Sequence, residues 1–163
     1  MTRLGSSRAR VAMSNLGCRV NRVELDAIAR ELEVAGCELV KEDDADAIVI
    51  NTCAVTGEAE AKARKAVRHA ASLPQEPIVL ATGCVASLFA PELEALAANV
   101  IVEADKALVA GRVLSELGVD CASGGLGVMR SHGFSVTPTG RMRPGLKIQD
   151  GCDNRCTYCI VWN

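Results

Sequence analysis

The sequence predicts an α/β protein: a parallel sheet with flanking helices, then a linker, then the first strand and loop of a second domain. Three observations carry this. Short runs of β type at residues 11–16, 47–51, 78–82 and 100–102 alternate with segments of helical period, an order that builds parallel sheets through right-handed crossovers. Residues 119–143 are rich in Gly, Ser, Thr and Pro and lack any period. Residues 146–149 then resume a β-type run, directly before a loop that holds three cysteines.

The elements follow in order. Residues 11–16 read as a short strand and residues 17–20 as a turn. Asn21 makes a good N-cap, with Glu24 three residues on, an Asn variant of the capping box. Leu25, Ile28, Leu32 and Ala35 then fall on one helical face, and Gly36 is the expected stop. Residues 37–40 suit a short strand, and 41–46 form a charged, exposed loop. The run at 47–51 has the composition of a buried strand and ends at Thr52-Cys53. A helix over 58–73 carries Glu58 and Glu60 at its positive end and stops at Pro74 and Pro77. The strand at 78–82 leads to Gly83-Cys84. Pro91 opens a helix to about residue 98. A strand at 100–102 and a helix over 106–117, stopped by Gly118, complete the first domain.

Composition narrows the function classes. The chain has 163 residues, 49% of them apolar, and only two Phe, one Tyr and one Trp. A core of Ala, Val, Leu and Ile is expected. The formal net charge of −2 gives no general basic footprint for nucleic acid. No run approaches the roughly 20 apolar residues of a membrane span, and no apolar segment follows the first arginines as in a signal peptide. The expected location is the cytoplasm. In that reducing setting eight cysteines point to metal or redox chemistry rather than to disulfides.

Cys18, Cys53 and Cys84 share one context: each follows a predicted strand and precedes a helix. Parallel strands bring their carboxyl ends to one edge, where α/β sheets place their ligands. Three thiolates there suit a four-iron cluster with one iron open to an outside ligand. The alternatives are small buried residues and a zinc site, which asks for four ligands or three plus water. Cys37 reads as core and Cys121 as a linker thiol.

The second set is denser. Gly151-Cys152-Asp153-Asn154-Arg155-Cys156-Thr157-Tyr158-Cys159 places three thiols within eight residues, enough to wrap one face of a cubane cluster. Zinc knuckles more often use paired Cys-x-x-Cys, and neither histidine is near in sequence.

At this point the chain resembles the radical S-adenosylmethionine (SAM) methylthiotransferase family. The resemblance rests on Gly17-Cys18-Arg19-Val20-Asn21, Asn51-Thr52-Cys53-Ala54-Val55-Thr56, Thr82-Gly83-Cys84 and Lys147-Ile148-Gln149-Asp150-Gly151-Cys152, in that order. It implies an N-terminal methylthiotransferase α/β domain at 1–118, a linker at 119–143, and at 144–163 the truncated start of a radical SAM, TIM-like barrel. It further implies that Cys18, Cys53 and Cys84 hold an auxiliary [4Fe-4S] cluster. Cys152, Cys156 and Cys159 would hold the [4Fe-4S] cluster that binds SAM, with Tyr158 beside the cofactor. The family replaces a carbon-bound hydrogen with a methylthio group. The Gly-Cys-Arg-Val-Asn wording is closest to the branch acting on C2 of N6-threonylcarbamoyladenosine at tRNA position 37. Other branches act on isopentenyladenosine-37 or on a ribosomal-protein aspartate. Expected partners are the tRNA anticodon loop, mainly through regions beyond these residues, and an electron donor such as flavodoxin or ferredoxin. Trp162 stands where the family usually has proline. With the rest of the barrel missing, the chain is expected to be inactive alone. A readings-apart alternative is a non-catalytic iron–sulfur module or an inert truncation product.

Overall fold

The structure, a computed structural model, describes residues 8–53, 56–119, 147–149 and 152–157. Five strands form one sheet: β1 (Arg10–Asn15), β2 (Glu38–Leu39), β3 (Ala47–Thr52), β4 (Ile78–Gly83) and β5 (Val100–Val102). Their order is β2-β1-β3-β4-β5, and every neighbouring pair is parallel. The helices are α1 (Arg19–Val34), α2 (Gly57–Ala71), α3 (Cys84–Leu88), α4 (Ala90–Glu94) and α5 (Val109–Glu116). The expected parallel sheet with flanking helices is the observed one.

All six residues of β3 are buried, as a strand covered on both faces requires. Alternate side chains then serve two separate cores. Ala47 and Val49 pack with Leu25, Ile28 and Leu32 of α1 and with Val109, Val113 and Leu114 of α5. Ile48 and Ile50 pack with Ala63, Val67 and Ala70 of α2 and with Val85, Ala86 and Leu93. Each fully buried side chain such as Ile48 or Leu80 contributes about 1.5–3 kcal/mol. No helix among the described residues is long and apolar enough to cross a membrane.

Several boundaries differ from the sequence reading. Helix α1 begins at Arg19, with Cys18 as its N-cap, so Asn21 is the third helical residue rather than the cap. The 41–46 loop contains a 3-10 turn at Glu42–Asp44 and buries Ala45 completely. Thr56 caps α2 by accepting the Ala59 N–H at 3.1 Å. The helix expected to open at Pro91 is preceded by α3, which starts at Cys84 itself. The segment expected over 106–117 begins as a turn and becomes helical at Val109, where Asp105 caps the Ala107 N–H at 3.0 Å.

Of residues 146–149, expected as the first strand of a second domain, 147–149 are described and have no strand pairing among the described residues. A strand exists through hydrogen bonds to neighbours, and none of the five sheet strands supplies them here. Ile148 is 87% exposed. Residues 120–146, which include all of the expected linker but its first residue, lie outside the described residues.

Candidate metal centre

The parallel register aligns Asn15 with Asn51, and Asn51 with Thr82, in one row at the carboxyl end of the sheet. The three cysteines follow this row on neighbouring strands β1, β3 and β4. Cys18 is exposed, Cys53 is buried and Cys84 is half-buried. The chain turns from β1 outward to β2 and then returns to β3 on the other side of β1. The gap between β1 and β3 is therefore a topological switch point, the usual place for a ligand in an open α/β sheet.

Buried polarity collects at this end. The buried polar residues among those described are Asn21, Glu24, Asn51, Thr52 and Thr82, all on strand ends or in the first two turns of α1. Asn21 Nδ2 donates to Asn51 Oδ1 at 2.9 Å and to the Thr52 carbonyl at 3.2 Å. Asn51 Nδ2 donates back to the Asn21 carbonyl at 2.8 Å. Asn21 Oδ1 accepts the Cys18 N–H at 3.3 Å and the Cys18 thiol at 3.0 Å. One amide pair thus ties the loop bearing Cys18 to the strand bearing Cys53. Thr52 extends the network to β4: its hydroxyl donates to the Thr82 carbonyl at 2.7 Å and accepts the Ala86 N–H at 3.3 Å.

Two glycines permit the close approach. A Cβ on Gly83 would meet Asn51 Oδ1 and the Thr52 carbonyl, each at 2.4 Å, and Gly83 sits at φ +89°. A Cβ on Gly17 would lie 2.4 Å from the Asn21 side chain. Sequence reasoning assigned Asn21 a capping role and did not foresee its pairing with Asn51. The only signal was polarity: Asn51 and Thr52 close an otherwise apolar strand.

The donor set is soft: three thiols, with no disulfide among the described cysteines. Soft sulfur donors suit iron–sulfur clusters and zinc. Among the described residues no three Cys, His, Asp or Glu side chains are drawn together at metal-binding distance, so the thiols share an edge rather than a closed ligand set. Cys18 donates its thiol proton to Asn21 Oδ1, and metal binding exchanges that bond for a thiolate–metal bond. Thr82 Oγ1 is buried without a hydrogen-bond partner among the described residues, an orphaned donor two residues before Cys84. Chemistry, order along the edge and this unmet polar group fit a cluster held by Cys18, Cys53 and Cys84.

An open depression of about 350 Å³ beside Cys18 is lined by Asn15, Gly17, Cys18, Arg19 and Arg22. On α2, Lys62 and Arg64 pair with Glu58 and Glu60 one turn earlier, at 3.3 and 2.7 Å. These two cations are thus offset by carboxylates of the same helix.

Of the second cysteine set, Cys152 and Cys156 are half-buried. Between them Arg155 adopts φ +43°. Cys159 and Tyr158 lie outside the described residues, as does Cys121. Cys37 is 6% exposed in the core beneath α1 and α5, as expected.

Residues 10–103 match the family described as "Uncharacterized protein family UPF0004". The chain is 34% identical over 161 residues to the threonylcarbamoyladenosine tRNA methylthiotransferase MtaB of Bacillus subtilis, covering 94% of this chain and 36% of that protein. It is 30% identical over 155 residues to the MtaB of Thermotoga maritima, covering 93% and 35%. The ribosomal protein uS12 methylthiotransferase RimO of Desulforudis audaxviator is 30% identical over 168 residues, covering 94% and 36%. The chain spans about a third of the length of these relatives.

Proposed function

This chain belongs to the methylthiotransferase family, and from that premise we propose that it supplies the N-terminal part of an enzyme that exchanges a carbon-bound hydrogen for a methylthio group. The observation that carries the reading is the placement of Cys18, Cys53 and Cys84 after the ends of three adjacent parallel strands. In this reading they hold an auxiliary [4Fe-4S] cluster. Cys152, Cys156 and Cys159 hold the second, to which SAM binds, with Tyr158 beside SAM. When bound, these groups supply the radical hydrogen abstraction, the sulfur and the methyl group.

The chain's own residues position that chemistry. The Asn21–Asn51 pair fixes the β1 and β3 ends relative to each other. Thr52 fixes the β4 end and the start of α3. Buried β3 and β4 give this edge a rigid base, and the Cys18 loop faces solvent, open to a large substrate. The proposed division is an α/β domain at 1–118, a linker at 119–143 and the start of a radical SAM barrel at 144–163.

The proposed substrate is N6-threonylcarbamoyladenosine at tRNA position 37, modified at C2, with flavodoxin or ferredoxin as electron source. The two MtaB relatives support it. Unpaired anticodon-loop bases reach an enzyme pocket at low unstacking cost. A second reading, an aspartate of ribosomal protein uS12, is favoured by the RimO relative at 30% identity. Deleting the gene region that encodes this chain and analysing both tRNA nucleosides and uS12 peptides by mass spectrometry separates them. Loss of 2-methylthio-N6-threonylcarbamoyladenosine supports the tRNA reading; loss of methylthio-aspartate with the nucleoside intact replaces it with the second.

A further inference from the structure

Glu24 lies in the second turn of α1, the helix that Cys18 caps, and its side chain is only 6% exposed. Its Oε1 accepts from Lys106 Nζ and from Lys147 Nζ, each at 2.7 Å. Lys106 belongs to the turn before α5. Lys147 lies 123 residues beyond Glu24 and five before Cys152. Oε2 is buried with no hydrogen bond among the described residues.

We infer that Glu24 is a positioning residue: by gripping Lys147 it fixes the segment leading into the Cys152–Cys156 loop against α1, and so sets the distance between the two cysteine constellations. A carboxylate this buried is not tolerated without cationic partners. Lys106 and Lys147 reach the same oxygen at the same distance, so either alone leaves the carboxylate paired. Of the two, Lys147 is the one that belongs to the segment before Cys152, 123 residues from Glu24. Among the described residues, 147–149 have no strand pairing and Ile148 is exposed, so neither the described sheet nor burial of that side chain holds the segment. The Lys147 side chain, 23% exposed, reaches inward instead. The anchoring stands whether or not either cysteine set takes iron. Its consequence, a fixed separation between the sulfur-donating and SAM-binding sites, rests on the function proposed above.

Amide hydrogen exchange on the reduced, metal-free full chain tests the anchoring. Lys147→Met leaves Glu24 paired with Lys106, so the fold survives. Peptides covering 147–157 are expected to exchange about fivefold to tenfold faster, with β1, β3 and β4 unchanged. Lys147→Arg restores the wild-type rate, and Lys106→Met leaves 147–157 unaltered. Glu24→Gln, which leaves two lysines facing each other, matches Lys147→Met in this segment. Equal exchange of 147–157 in wild type and Lys147→Met overturns the inference, as does equal acceleration by Lys106→Met. Iron uptake is scored separately, so failure of the cluster assignment and failure of the anchor are distinguishable.

Discussion

Asn21 and Asn51 exchange hydrogen bonds across the gap between β1 and β3: Asn21 Nδ2 donates to Asn51 Oδ1 at 2.9 Å, and Asn51 Nδ2 donates to the Asn21 carbonyl at 2.8 Å. Both residues are almost fully buried, at 4% and 0% exposure. In such surroundings a hydrogen bond is electrostatically strong and an unpaired amide is costly. Asn51→Ala is therefore expected to lower unfolding free energy by about 2–3 kcal/mol, read from the urea midpoint at unchanged slope. A loss below a few tenths of a kcal/mol would show that the pair does not tie the strand ends together.

The two threonines at this edge predict opposite signs. Thr52 Oγ1 makes two hydrogen bonds, to the Thr82 carbonyl and from Ala86 N–H, so Thr52→Val is expected to cost about 1–3 kcal/mol. Thr82 Oγ1 is buried with no hydrogen-bond partner among the described residues, so Thr82→Val of nearly the same shape should be neutral or stabilising by up to about 1 kcal/mol. Thermal unfolding of both variants, without metal, reads the contrast.

Glycine substitutions give a second contrast. Gly83→Ala places a Cβ 2.4 Å from the Thr52 backbone carbonyl at φ +89°, and neither strand can yield without breaking the register of β3 and β4. More than about 2 kcal/mol of destabilisation is expected. Gly111→Ala lies inside α5 with nothing within 4 Å of the new Cβ and should stabilise by about 0.5–1 kcal/mol.

The sheet was legible because apolar runs such as Ile48–Val49–Ile50 and Val79–Leu80 leave no other way to bury both faces. Strand order was not, since no local residue encodes that β3 returns past β1. The start of α1 was misread because Cys18 is not among the usual N-cap residues, whereas Asn21 is. The real device is reciprocal: Asn21, three residues in, reaches back to the Cys18 N–H. Helix α3 is five residues long, too short to show a period. The cysteines announced themselves by spacing and context, but the amide pair and the Glu24–Lys147 contact join residues 30 and 123 positions apart, a relation only the folded chain displays.

The most direct test of the central claim is iron and sulfide content after anaerobic reconstitution, run beside Cys53→Ala, Cys156→Ala and Cys37→Ala. Two four-iron clusters predict about eight irons per chain, roughly half lost in each of the first two variants and none in Cys37→Ala, whose thiol lies in the core. Stoichiometric zinc without iron, or iron uptake indifferent to Cys53, would contradict the account.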